Sequence, residues 1–302
     1  MKKVKKLILL VLLGLVILVS VFLVRNPIRG LSFVPLPTPQ LNSFIPFPDS
    51  VLAQSVLVLD VDSGTIVFER EAHLRLAPAS ITKMVTAIAA LEIYPLGEVV
   101  EIINSYPVGR NMGLLAGEKI TVENLIYGLL VHSANDAAFV LAGQTEGRIE
   151  EFVARMNQMA WDLGLRDTRF INFDGEEDFG HYSTAYDLAQ LARWALGNPI
   201  FTKAVGTEKM LVTNIDGSII HQLESTNLLL GVAPEIAGVK TGWTPEAQEC
   251  FVALINLDGH RLLSVVLASP DRFGDTQKII DWLKESLSWQ DHSVHSLETA
   301  GT

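Results

Sequence analysis

The chain has 302 residues, 49% of them apolar and 19% charged, with a single cysteine. That composition excludes a disordered or fibrous chain, and Cys250 alone excludes an internal disulfide or a multi-cysteine zinc site. Residues 1–48 hold six Lys/Arg and no Asp/Glu, leaving 17 against 34 for residues 49–302, and so acidic a domain is a poor partner for nucleic acid, which needs clustered cations.

The first element is apolar. Lys2, Lys3, Lys5 and Lys6 precede an uncharged run from Leu7 to Val24. At 1.5 Å per residue it spans about 27 Å, close to the hydrocarbon thickness of a bilayer. A cleaved signal peptide has a shorter core and a small-x-small site just after it. The nearest such site, Val51-Leu52-Ala53, is far downstream, so residues 1–25 read as an uncleaved transmembrane anchor. Four Lys before the span against Arg25 and Arg29 after it place the N-terminus in the cytoplasm and the rest outside. Residues 26–50 hold six of the 13 prolines and read as an extended linker, although Phe33, Phe44, Ile45 and Phe47 give it something to pack with.

The globular part is expected over 51–289. Gln54 to Asp60 and Thr65 to Arg70 read as strands around an Asp62-Ser63-Gly64 turn. Ile81 to Glu92 is apolar on all sides and reads as a buried helix. Residues 120–142, 149–163 and 183–196 are helical in pattern, and Ile236 to Lys240 is strand-like. Glu249 to Leu257 and Arg261 to Ala268 form a hairpin at Asp258-Gly259. Thr276 to Ser286 is a closing helix, and residues 290–302 are a polar tail. Strands at both ends with helices between them predict an α/β (α+β) fold, one sheet drawn from both termini with an inserted helical region.

Three short motifs carry chemistry. In Ser80-Ile81-Thr82-Lys83, positions i and i+3 share a helix face, so hydroxyl and ammonium can meet. A serine is a weak nucleophile until a base takes its proton, and a lysine buried on an apolar helix loses hydration and can be that base. The plain alternative is an N-cap serine beside a lysine that snorkels to water. Ser133-Ala134-Asn135 offers a hydroxyl to relay a proton and an amide to bind a substrate amide; Ser225-Thr226-Asn227 matches the same pattern. Lys240-Thr241-Gly242, at a strand end, offers a cation and a hydroxyl for an anionic group and a glycine that admits substrate.

The three motifs in this order resemble the serine D-Ala-D-Ala carboxypeptidases, the low-molecular-mass penicillin-binding proteins of the S11 peptidase family. The likeness runs from about Ser55 to Trp282. It includes Pro78-Ala79-Ser80, Thr82-Lys83-Met84, Asn135-Asp136-Ala137-Ala138, Ser183-Thr184-Ala185 with Asp187-Leu188, Gly238-Val239-Lys240-Thr241-Gly242 and Arg272-Phe273. In that context Ser133 to Asn135 is the middle motif and Ser225 to Asn227 is accidental. The resemblance implies a transpeptidase-like fold, an antiparallel sheet flanked by helices with an α-helical subdomain. It implies that Ser80 attacks the carbonyl between the two terminal D-alanines of a peptidoglycan stem peptide, with Lys83 as base. Ser133, Asn135 and Lys240 would line the far side of the cleft. The N–H groups of Ser80 and Trp243 would form the oxyanion hole. Thr241, Gly242 and Arg272 would help bind substrate. Penicillins would acylate Ser80, and no cofactor or metal would be needed.

The chain departs from the family pattern in two places. Ala134 stands for a common glycine, and Ala247-Gln248-Glu249 fills a stretch that usually holds a glycine near Gln248. Two other readings stay open. A β-lactamase would use the same acylation with a glutamate-held water, and Glu176 and Glu177 lie between the second and third motifs, without the partner asparagine expected downstream. A non-catalytic wall-binding scaffold usually lacks a motif residue, and none is missing here. His73, His132, His181, His221 and His260 are scattered, so a histidine triad or metal site has little support.

Overall fold

The computed structural model describes residues 37–144 and 146–290. The expected transmembrane segment and most of the polar tail lie outside them. Among the described residues no helix is long and apolar enough to cross a membrane. Residues Thr38–Gln290 form one compact unit.

Its centre is a five-stranded antiparallel sheet. The strands are β2 (Ser55–Asp60), β3 (Ile66–Arg70), β8 (Ile236–Thr244), β9 (Gln248–Leu257) and β10 (His260–Ser269), in the order β3-β2-β10-β9-β8. Successive strand residues point to opposite faces, and here both faces are apolar. Leu57, Leu59, Val252, Leu254, Leu263 and Val265 enter one core cluster. Their neighbours Val56, Val58, Phe251, Ala253, Leu262 and Val266 enter another. A sheet covered on both sides explains why these strands read as continuous apolar runs rather than alternating ones. The hairpin at Asp258-Gly259 forms as expected, both residues having positive φ (50° and 82°), the pattern of a type I′ turn.

One face carries the helical region. Its axis is α1 (Lys83–Ile93), which touches α2 (Val122–Val131), α3 (Asn135–Leu141), α4 (Glu146–Asp162) and α5 (Ala185–Ala195). Neighbours on all sides are the reason α1 is apolar all round. The other face is covered by α7 (Arg272–Ser286), through Ile279, Ile280, Trp282 and Leu283. Asp271 caps α7 by accepting from the Gly274 N–H at 2.9 Å.

The structure differs from the sequence reading in three places. The segment expected as a linker up to residue 50 is folded onto the domain from Thr38 onward. Phe47 stacks on Phe68 with ring centroids 3.6 Å apart and meets Trp282 edge-on at 5.0 Å, and the Trp282 indole N–H donates to Ile45 O at 3.3 Å. Strand β1 (Thr38–Leu41) pairs with β11 (Leu287–Gln290), so Gln290, expected to open the tail, closes a sheet. Prolines at 37, 39, 46 and 48 are compatible with this because a two-stranded edge needs few of their missing N–H groups.

The helix expected over 120–142 is two helices, α2 and α3, broken at residues 132–134. Ser133 sits there at φ +61°, a conformation no helix interior accepts. Four short elements were not expected: β4 (Val99–Glu101) with β5 (Lys119–Thr121), and β6 (Lys209–Thr213) with β7 (Ile220–Glu224). The short helix α6 (Pro199–Val205), which precedes β6, was not expected either; it is capped by Asn198, whose Oδ1 accepts from the Ile200 and Phe201 N–H groups.

Candidate active site

Ser80 lies in a 3-10 turn, Ala79–Thr82, that leads directly into α1. The turn is held against β8. A Cβ on Gly242 would lie 3.0 Å from Ala79 Cβ, Pro78 O and Ser80 N, so only glycine lets the strand approach this closely. Gly175 does the same from the other side: at φ +84° it presses on the Ala79 carbonyl, where any side chain would overlap it. Ala79 itself is held at φ +48°, strain that persists because both neighbours fix it.

Lys83 Nζ is 2.8 Å from Ser80 Oγ and donates to Asp174 O at 2.6 Å. Lys83 has no exposed surface. Burial lowers its pKa to about 8, against the opposing pull of Asp174 and Glu176. The loop that supplies Asp174 is anchored by its own hydrogen bonds. Tyr106 Oη donates to Asp174 Oδ2 at 2.9 Å, and Thr86 Oγ1 donates to Phe173 O at 2.6 Å.

The second and third motifs meet opposite Ser80. Lys240 Nζ donates to Ser133 Oγ at 2.9 Å and to Thr241 O at 2.9 Å. Lys240 is 1% exposed. Burial, together with the charges of Lys83, Arg272 and Arg110, holds its pKa well below the usual lysine value. The Ser133 turn is pinned by buried Asp136, whose carboxylate accepts from the N–H groups of Met112, Gly113 and Leu114. Asn135 N–H donates to Arg110 O at 2.6 Å, and its Nδ2 donates to Glu176 Oε1 at 2.7 Å.

Thr241 Oγ1 is 2.6 Å from Thr226 Oγ1. The triplet Ser225 to Asn227 is thus beside the third motif rather than acting as a second copy of the middle one. Trp243 is 60% exposed at the end of β8. Arg272 Nη1 donates to Gly242 O at 2.9 Å, and its backbone N–H donates to Glu249 Oε2. Its guanidinium does not pair with Asp271, which caps α7, or with Asp275, which holds Leu52 N, Ala53 N and Ser269 Oγ. Gln248 adopts φ +55°, the left-handed conformation that favours glycine, at the stretch where the family pattern is expected to hold one.

Sequence reasoning missed Thr226, Asp174 and Tyr106. Asp174 serves through its backbone carbonyl, which leaves no side-chain signature, and Thr226 lies in the loop after β7, a strand that was not expected. The described histidines stand apart: His181 Nε2 contacts Thr82 Oγ1, His221 pairs with Glu118, and His260 stacks on Trp289.

An antiparallel sheet flanked by helices, with a serine–lysine pair facing a second buried lysine, is the arrangement of the transpeptidase-like acyl-transfer proteins. The family model for D-alanyl-D-alanine carboxypeptidase matches residues 42–271, and the chain belongs to this peptidase S11 family. It is 34% identical over 241 residues to a D-alanyl-D-alanine carboxypeptidase of Bacillus subtilis, covering 76% of this chain and 61% of that one. It is 33% identical to one from Streptomyces, covering 73% of this chain and 83% of that one. Among solved structures, a Streptomyces DD-transpeptidase aligns with a TM-score of 0.72 at 32% identity, covering 76% of this chain and 96% of that one.

Proposed function

We propose that this chain is a serine-type D-alanyl-D-alanine carboxypeptidase that removes the terminal D-Ala from peptidoglycan stem peptides through an acyl-enzyme on Ser80. The observation that carries this is the contact of Ser80 Oγ with a buried Lys83 whose pKa is near 8. As a neutral amine, Lys83 keeps one N–H on Asp174 O and turns its lone pair to the serine hydroxyl. The hydroxyl proton moves to Lys83 as Oγ attacks the scissile carbonyl. The oxyanion that forms faces the Ser80 and Trp243 N–H groups, and the Ser133–Lys240 pair relays to the leaving D-Ala amine the proton that Lys83 took, so that Lys83 is neutral again. Water then hydrolyses the ester and frees Ser80. β8 is the edge strand of the sheet, so an extended peptide can lie along its outer side. β-Lactams would enter the same cleft and acylate Ser80.

The proposal includes placement. The domain stands outside the cytoplasm on the Leu7–Val24 anchor. Support comes from Val51 and Ala53, which are 1% and 3% exposed: a cut at the nearest signal-like site would strip β1 and Phe47 from the folded unit.

A fluorescent penicillin and intact-mass analysis test the chemistry. The wild type gains one adduct, and Ser80→Ala gains none while melting as a folded protein. An adduct on the alanine variant would remove Ser80 from the role. Turnover of a chromogenic cephalosporin through many cycles per enzyme would favour a β-lactamase instead.

A further inference from the structure

Asn135 belongs to the middle motif and is buried, and its backbone is fixed at both ends. Its N–H donates to Arg110 O, and the next N–H, of Asp136, donates to Asn111 Oδ1 at 2.9 Å. The remaining freedom is the carboxamide, which can turn either its oxygen or its NH2 toward a given partner. The partner here is a carboxylate, Glu176 Oε1, at 2.7 Å. A carboxylate only accepts, so it selects the NH2 orientation, and a charged acceptor makes that bond one of the stronger kind.

Glu176 is itself held. Its N–H donates to Asp174 Oδ1 at 3.2 Å, its carbonyl accepts from Asn172 Nδ2 at 2.9 Å, and the preceding Gly175 N–H donates to Asn172 Oδ1 at 2.8 Å. The segment that holds Lys83 through Asp174 O therefore also holds Asn135 through Glu176. Gly109, at φ +66°, closes over the pair, and any side chain there would overlap both Asn135 Nδ2 and Glu176 Oε1.

We propose that Glu176 is a positioning residue that orients the Asn135 carboxamide, leaving its second N–H free for the substrate's amide carbonyl. The inference rests on the carboxypeptidase reading above. Glu176 acts through Asn135 in binding, and it takes no proton from the deacylating water.

A double-mutant cycle on an N-acylated peptide ending in D-Ala-D-Ala tests this. Glu176→Leu is expected to raise KM about tenfold, the loss of one oriented hydrogen bond, with kcat within about threefold of wild type. Glu176→Gln, whose amide oxygen still accepts, is expected to stay within about threefold in KM. In an Asn135→Ala background, Glu176→Leu is expected to cost less than about twofold more, because the group it orients is gone. Melting curves report the fold of each variant, and the glutamine variant keeps the test readable if the leucine variant is unstable.

Additive losses in the double variant would overturn the proposal. A fall in kcat with accumulation of acyl-enzyme would overturn it in favour of a role for Glu176 on the deacylating water. A wild type that leaves the peptide intact would remove the carboxypeptidase reading and this one with it. An active wild type with additive losses removes only this one.

Discussion

Lys83 is fully buried, and in the proposed mechanism that sets the pH at which the site works. In that mechanism its neutral form is the base, and burial places the change near pH 8. Below that pH the proton stays on the lysine, so kcat/KM is expected to fall about tenfold per unit as pH drops below about 8. Lys83→Arg keeps a charge that cannot be shed near neutrality, and acylation is expected to fall at least about 100-fold with the acid limb lost. An arginine variant that acylates at the wild-type rate would reduce Lys83 to an electrostatic role. Arg272 has one donor on Gly242 O and others to offer a terminal carboxylate. Arg272→Ala is expected to lower kcat/KM on a free D-Ala-D-Ala peptide by roughly 10–100-fold and to lose little on the amidated peptide. Equal losses on both would make Arg272 a brace for β8 alone. At this scale the sequence was legible where chemistry and spacing coincide, as at Ser80 and Lys83. It was silent where a backbone atom does the work, as at Asp174 O, or where a distant loop supplies a group, as with Thr226.

The turn carrying Ser80 is clamped between two glycine-bearing segments, and the edge strand β8 is one of them. Gly242→Ala puts a methyl 3.0 Å from Ser80 N, and the strand must back away. Penicillin labelling is expected to slow at least about tenfold, the strain of an overpacked contact being about 1–3 kcal/mol; labelling at the wild-type rate would show that the close approach is dispensable. The sheet itself was readable because β2, β9 and β10 are long apolar runs ended by turn residues. The break between α2 and α3 was not, because Leu125 to Asn135 keeps helical character up to the serine. What interrupts it is Asp136, whose carboxylate serves three backbone N–H groups from a loop more than 20 residues away. The β6–β7 hairpin was missed because its alternation is weak: Leu211 and Ile220 are exposed.

The whole molecule places its site where the sheet and the helical region join, with the apolar clusters on the two faces of the sheet holding that junction rigid. The proposed placement of the domain outside the cytoplasm rests on the sequence Leu7 to Val24 and its lysine flank. Intact protein is expected to sediment with membranes, and protease added to spheroplasts is expected to remove the domain. A soluble product beginning near Gln54 would show a cleaved signal instead. The domain boundary expected at residue 51 lay too late in the chain because proline content outweighed Phe47 in the sequence reading. Phe47 packs against Phe68 and Trp282 and, with the β1–β11 pairing, holds that segment down.

The pairing of β1 with β11 sets Thr38 opposite Gln290 and Leu41 opposite Leu287, so the first and last strands of the folded unit close it into a ring. Bringing together the ends of so long a loop costs roughly 5 kcal/mol of chain entropy, more than a four-residue ladder recovers by itself. The ring can therefore close only after the central sheet and α7 have already brought the ends near each other. The clasp is expected to be the last part of the domain to zip and the first to fray, and hydrogen exchange is expected to show its amide protons exchanging before those of the strands that carry the site.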